Sequence, residues 1–320
     1  MKDILGFQIN GIGNGHITAA NVVYDVLIKY YEIPVIIIYG KNYNHNFSKD
    51  KVKYINIKTT NESTNDMDLY KITQDIIKPK KSYKYEKKYN INKWFNFCII
   101  DFFNFRTKQL CITHHLSIDN KLIDILTMAS VAFSNIKLIS IHTKSKHTQY
   151  VIPPLIELNK LDKNRTIKKK IILAYSVSGT DFQNAIYIIA KKNPLYQIKY
   201  FTLSKIKYDI PENITLYKPD KKEFKNFFNC CSCVLCTAGN ELILECVYNN
   251  VPVATMPCSS DHFEQVENCK KYVNKLKYAY LIYDNLKLDE LASKDTTLSN
   301  NHLNESLRDR EKKIIELCNI

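Results

Sequence analysis

Glycine is scarce in this chain, and where it falls constrains the fold more than any other feature. Of seven glycines in 320 residues, three lie within Ile9-Asn10-Gly11-Ile12-Gly13-Asn14-Gly15-His16. An apolar run, Ile4 to Ile9, precedes them, and a helix-like segment, Ile17 to Tyr31, follows. The order is strand, glycine loop, helix. Glycine permits positive φ and lets a ligand or a second domain come close to the backbone. A helix starting there presents N–H groups and the positive end of its dipole. His16 stands at that start, a side chain that titrates near neutral pH. A tight turn also needs glycine, so Gly11, Gly13, Asn14 and Gly15 have two readings, a ligand cradle and a turn. The spacing is not the dinucleotide pattern G-x-G-x-x-G, because the third glycine comes one residue early. The next apolar run, Val35 to Tyr39, ends in Gly40-Lys41-Asn42 and not in an acidic residue, which sets a nicotinamide dinucleotide aside.

The same alternation continues through residues 1–152. Strands are expected at Ile4–Ile9, Pro34–Tyr39, Val52–Ile57, Phe97–Ile100, Gln109–Thr113 and Leu138–His142, and helices at Ile17–Tyr31 and Asn120–Ala129. Strands alternating with helices predict a parallel, doubly wound sheet, with ligands beyond the carboxyl ends of the strands. Asp101, His114 and His115 each follow an expected strand and so share the rim of the glycine loop. Asp101 either orients or activates His16, or caps the next segment. Lys78 to Tyr89 interleaves basic and aromatic residues. It reads as a solvated loop, with a polyanion surface as the alternative.

Pro153-Pro154 through Lys168-Lys169-Lys170 reads as a linker over 153–170. A second domain over 171–300 then repeats the logic. A strand, Ile171–Tyr175, runs into Ser176-Val177-Ser178-Gly179-Thr180 and a helix from Phe182 to Lys191, whose start suits a phosphate. Strands at Gln197–Phe201 and Ile214–Tyr217 and a helix from Lys221 to Asn229 follow. Next come a strand at Val234–Cys236, the turn Thr237-Ala238-Gly239, a helix at Asn240–Tyr248, a strand at Val251–Met256 and a helix at Phe263–Val273. Two helix starts thereby reach one rim. Glu245 lies on a mostly apolar helix and needs a partner, which is either a backbone N–H or lysine, or a pair of vicinal hydroxyls. Residues 301–320 read as a closing amphipathic helix, with Leu303, Leu307, Ile314 and Leu317 at helical spacing.

The formal charge of +14 favours acidic partners, namely nucleotides, nucleic acid or an anionic membrane surface, although a bias toward lysine codons produces the same excess. No apolar run reaches the ~18 residues of a membrane span. The first residues enter a strand directly and do not read as a signal peptide. The expected location is the cytoplasm, with peripheral membrane attachment as the alternative. Ten cysteines, many within apolar runs, read as reduced thiols in a chain too large to need disulfides. The cluster Cys230-Cys231-Ser232-Cys233-Val234-Leu235-Cys236 invites zinc, but no second ligand pair follows at finger-like spacing, so no metal is expected.

Two stretches carry a family resemblance. One is Gly11-Ile12-Gly13-Asn14-Gly15-His16-Ile17-Thr18. The other runs from Thr237-Ala238-Gly239-Asn240-Glu241 through Glu245, Val251-Pro252, Met256-Pro257 and Glu264-Gln265 to Asn268. Together they resemble the GT-B glycosyltransferases, in the group of MurG and the UDP-glycosyltransferases. The resemblance implies two Rossmann-like, doubly wound α/β domains facing across a cleft. The first holds the acceptor and the second a nucleotide-diphosphate sugar, with no cofactor. By position Glu245 would bind the ribose hydroxyls. Gly239, Asn240, Ser178, Gly179 and Thr180 would lie near the diphosphate, Thr237 would also belong to the donor site, Glu264 and Gln265 would touch the sugar, and His16 would be the base or would orient the acceptor. The family often has a second glycine where Asn240 stands. The implied activity is metal-independent, inverting transfer from a UDP-sugar to a hydroxyl acceptor. Alternatives are a sugar-nucleotide epimerase of the same fold, and a non-catalytic nucleotide-sugar or nucleic-acid binding protein, with a DNA-base glycosyltransferase between them.

Overall fold

The computed structural model describes residues 2–10, 14–39, 53–57, 82–97, 107–113, 136–142, 148–158, 161, 167, 170–176, 179–204, 209–260 and 262–319. The expected helix at Asn120–Ala129 lies outside them, as do Gly11, Gly13, Asp101, His114, His115 and Ser178. The chain divides into two units, Met1–Glu157 with Ser306–Ile320, and Leu158–Glu305.

In the first unit the strands are β1 (Leu5–Asn10), β2 (Val35–Tyr39), β3 (Lys53–Ile57), β4 (Lys93–Phe97), β5 (Lys108–Thr113), β6 (Ile136–Ile141) and β7 (Tyr150–Ile152). They form one sheet in the order β3-β2-β1-β4-β5-β6-β7. Every pairing in it is parallel. β2, Val-Ile-Ile-Ile-Tyr, is buried along its whole length, as an interior strand of a parallel sheet covered on both faces is. Helix α1 (Asn14–Leu27) lays Ala19, Ala20, Val23, Tyr24 and Leu27 on Phe7, Ile9 and Phe95. Each such large side chain contributes about 1.5–3 kcal/mol when fully buried.

α1 starts earlier than the apolar pattern indicates, inside the glycine loop, and stops at Leu27, where Tyr30 and Tyr31 both turn back to the Leu27 carbonyl. β4 also starts earlier, at Lys93 and not Phe97. The cause is Asn96, fully buried and donating to Gln109 Oε1 at 2.7 Å, a polar residue in the middle of a core strand. The segment read as a loop at Lys78–Tyr89 contains helix α2 (Ser82–Tyr89). Its Glu86 accepts from Trp94 Nε1 at 2.7 Å, and Tyr85 stacks on Tyr89 with ring centroids 6.5 Å apart. Those two tyrosines therefore pack against their own unit and are not an open stacking surface.

In the second unit β8 (Ile171–Ser176), β9 (Gln197–Thr202), β10 (Ile214–Tyr217), β11 (Cys233–Thr237), β12 (Val253–Met256) and β13 (Tyr280–Leu281) form a sheet in the order β10-β9-β8-β11-β12-β13. Every pairing is again parallel. The helices are α3 (Thr180–Lys192), α4 (Lys221–Phe228), α5 (Asn240–Tyr248), α6 (Phe263–Cys269) and α7 (Leu288–Ala292). α5 ends because Asn250 takes a left-handed φ of 54°, and Val251 N–H returns to the Cys246 carbonyl at 2.8 Å. The helix expected at Phe263–Val273 is α-helical only to Cys269 and continues as a π-helix, Lys270–Lys275. The tail is two helices, α8 (Thr297–Leu307) and α9 (Arg310–Asn319), where one was expected. α9 packs Ile314, Leu317 and Cys318 into the core of the first unit.

Nine cysteines, all but Cys98, are free thiols in the described residues. Cys233 and Cys236 lie on the fully buried strand β11, and burial pushes the Cys236 thiol up to about 12. Thiols buried in this way pack as small apolar groups. Among the described residues no helix is long and apolar enough to cross a membrane.

Candidate functional site

Three strands of the second sheet, β8, β11 and β12, are neighbours, and each runs through a short loop into a helix. Parallel order puts the three loops together at the carboxyl edge, where doubly wound sheets bind ligands.

Specific contacts tie the loops to one another. Gly179, the N-cap of α3, has φ 116° and lies against Cys258 of the third loop, and a Cβ built there would come within 2.5 Å of the Cys258 carbonyl oxygen. Cys258 N–H in turn donates to Gln265 Oε1 at 2.7 Å. Asn268 Nδ2 donates to the Ala238 carbonyl at 2.8 Å, fastening α6 to the second loop. Tyr272 Oη donates to Asn240 Oδ1 at 2.6 Å, fastening the π-helix to the start of α5. Ala238 N–H donates to the Met256 carbonyl at 2.9 Å. Gln265 and Asn268, spaced three apart on one helix, each clamp a different loop.

The helix starts differ in a way that matters. α3 and α5 each begin at a glycine, Gly179 and Gly239, which has no side chain with which to cap the helix. Among the described residues neither start has a side-chain cap on its N-cap residue, and each sits at the positive end of its helix dipole. α6 is closed by its own N-cap, His262, whose Nδ1 accepts from Gln265 N–H at 3.4 Å. The sequence offered all three starts, α3 as suited to a phosphate and α5 and α6 as facing one rim, and the geometry leaves α3 and α5 without a side-chain cap. His262 carried no signal in the sequence beyond its place before a helix.

The remaining expected residues fall as follows. Thr180 is exposed as the first residue of α3. Thr237 ends β11, buried, and its carbonyl accepts from Gly239 N–H at 2.7 Å. Gly239 has φ −76° and its Cβ position is open, with only the Thr237 carbonyl oxygen as near as 4.0 Å among the described residues. Glu245 is half-buried in α5, five residues beyond Asn240. Glu264 and Gln265 lie in the first turn of α6. In the first unit Asn14 and Gly15 open α1. His16 follows them, half-buried, its ring edge-on to Phe97 with centroids 6.2 Å apart.

Sequence reading missed an aromatic cluster nearby. Phe201 stacks on Tyr217 at 4.9 Å, and Phe224 and Phe227 of α4 close over them at 5.3 and 6.1 Å from Phe201. Its signal was the phenylalanine spacing in α4. It is closed on itself and packs α4 onto the sheet.

An arrangement of this kind suits an elongated anionic ligand. Two uncapped helix starts take a phosphate group or a diphosphate, an open glycine admits it close to the backbone, and a carboxylate along α5 suits hydroxyl groups.

Comparison with solved structures finds the same two-domain architecture. The chain aligns over 99% of its length with 99% of MurG from Acinetobacter baumannii, at 13% identity and a TM-score of 0.57. It aligns over 99% of its length with 100% of UGT89C1 from Arabidopsis thaliana, at 11% identity and a TM-score of 0.67, and that protein has also been solved with UDP and with quercetin. A glycosyltransferase of kitacinnamycin gives 10% identity, 99% and 98% coverage and a TM-score of 0.66. No curated protein sequence matches the chain. The fold is thus the α/β GT-B fold, as the two motifs led us to expect. The profile of glycosyl transferase family 1 matches residues 115–297, more than half the chain, and the chain belongs to that family.

Proposed function

We propose that this glycosyltransferase takes its sugar from a UDP-sugar, holds the donor on the second unit and transfers the sugar with inversion to a hydroxyl acceptor without a metal. The observation that carries the reading is the tied rim, with Gly179, Gly239–Asn240 and the Cys258 loop locked together at the carboxyl edge of the second sheet. On this reading the N-termini of α3 and α5 take the diphosphate, Glu245 takes the ribose hydroxyls, and the first turn of α6, Glu264 and Gln265, meets the sugar. UDP is favoured because the structurally similar plant enzyme has been solved with it.

Inversion needs one displacement. A base removes the acceptor hydroxyl proton, the oxygen attacks the anomeric carbon, and the diphosphate departs with the bonding electrons. Helix dipoles and N–H groups stabilise that charge where a metal otherwise would. His16 is the base in this scheme, and Asp101 is the next candidate. The test is a panel of UDP-, GDP- and TDP-sugars assayed for hydrolysis and transfer, in which absence of both turnover and binding would sink the reading. His16→Ala should lower kcat by about 10²–10⁴-fold while shifting donor Kd by less than about threefold. Near-full activity in the variant would move the base elsewhere.

A further inference from the structure

Lys271 lies on the π-helical turn that follows α6, a local backbone form that recurs at functional positions. Its ammonium stands 4.8 Å from the centroid of the Tyr272 ring. Tyr272 is fully buried and donates to Asn240 Oδ1 at 2.6 Å, and Asn240 is the first residue of α5. Through Tyr272, the π-turn that carries the lysine is tied to the start of α5, the turn on which the diphosphate site is read. The charged groups acting on it are Lys275 of the same π-turn and Glu241 of the first turn of α5. Lys270, the residue before it, pairs instead with Glu267 at 2.6 Å. Burial and Lys275 push Lys271 down to about 8, and Glu241 offsets them in part. An ammonium desolvated in this way gains more than an exposed one from an incoming anion. Glu241 itself opposes an anion at that turn, so a cation beside it has a task.

We propose that Lys271 is a donor-recognition residue whose ammonium meets the diphosphate of the nucleotide sugar at the first turn of α5 and neutralises the departing nucleoside diphosphate. This rests on the reading of that turn as the diphosphate site. The sign of the proton linkage follows. Without ligand the lysine is half-protonated near pH 8. An anion beside it raises its pKa, so binding at pH 8 takes up about half a proton or less, and at pH 6, where the lysine is already charged, none.

The experiment is calorimetric titration of the full chain with UDP at pH 8, in two buffers of unlike ionisation enthalpy, for wild type, Lys271→Met and Lys271→Arg. Methionine keeps an apolar stem over Tyr272 but no charge, and arginine keeps the charge but does not titrate. Lys271→Met should weaken UDP binding about tenfold or more. Lys271→Arg should bind within about threefold of wild type, since the charge is kept, and should lack the lysine's share of proton uptake. Comparing the two removes the contribution of the terminal phosphate of UDP. Should Lys271→Met lose stability, the arginine variant still decides. Unchanged affinity in a folded Lys271→Met, or equal proton uptake in wild type and Lys271→Arg, overturns the role of Lys271 and leaves the diphosphate site standing. Failure of UDP to bind wild type at millimolar concentration overturns both.

Discussion

Gly179 and Gly239 occupy the same place in two copies of one motif, each the last residue of a loop between a strand and a helix of the second sheet. Their surroundings are opposite. Gly179 has φ 116° and would drive a Cβ to 2.5 Å from the Cys258 carbonyl oxygen. Gly239 has an ordinary φ of −76° and open space where a Cβ would stand. The first glycine is demanded by the polypeptide itself, since both its conformation and the approach of the Cys258 loop exclude a side chain. Sterics among the described residues make no such demand at Gly239. A ligand lying close over the start of α5 would, and that is the role proposed for the diphosphate. Two glycines that look alike in sequence therefore hold different parts of the proposed site, one its framework and one its opening.

The comparison breaks most readily at Gly179. Gly179→Ala should destabilise the protein by about 2–4 kcal/mol, from left-handed strain together with overpacking against Cys258. Urea unfolding measures it, and an unchanged midpoint would remove the constraint claimed for this loop. Glu245 sharpens the other side. Glu245→Ala should raise the Kd for UDP by about 10- to 100-fold, the worth of a carboxylate bonded to hydroxyls, about 1.5–3 kcal/mol, with the fold intact. Unfolding of the variant would assign Glu245 to the structure instead, and an unchanged Kd would take it out of the site. The smallest expected effect is on stability at the second glycine. Gly239→Ala should leave stability unchanged or raise it by about 0.4–1 kcal/mol, because only the unfolded chain loses freedom. The same variant should weaken UDP binding about tenfold, or about 1.4 kcal/mol. A stability loss comparable to that of Gly179→Ala would erase the contrast between the two loops.

Much of this was legible in the sequence because the signals were local. The strand at Ile214–Tyr217 and the helix at Asn240–Tyr248 have the limits that their apolar periodicity and the flanking Gly239 and Asn249-Asn250 indicate. β4 was misplaced because Asn96 is a buried polar residue whose partner, Gln109, is on another strand, a contact invisible to periodicity. α2 was masked by its lysines, since its buried anchor, Glu86, is a carboxylate bound to an indole N–H. β13 is two residues long and gave no pattern at all. Within the site, the residue types and their order were readable, but the ties between loops were not. That Cys258 fills the space above Gly179, or that His262 closes α6, depends on which loops adjoin, and the strand order β8-β11-β12 decides that.

The most direct measurement is a crystal structure of the full chain with UDP bound. The account predicts diphosphate oxygens within about 2.7–3.2 Å of backbone N–H groups in the first turn of α5, over Gly239, and ribose hydroxyls at the same range from the Glu245 carboxylate. UDP seated away from the loops that carry Gly179, Gly239 and Cys258, or Glu245 turned from the ribose with Gly239 still uncovered, would contradict it.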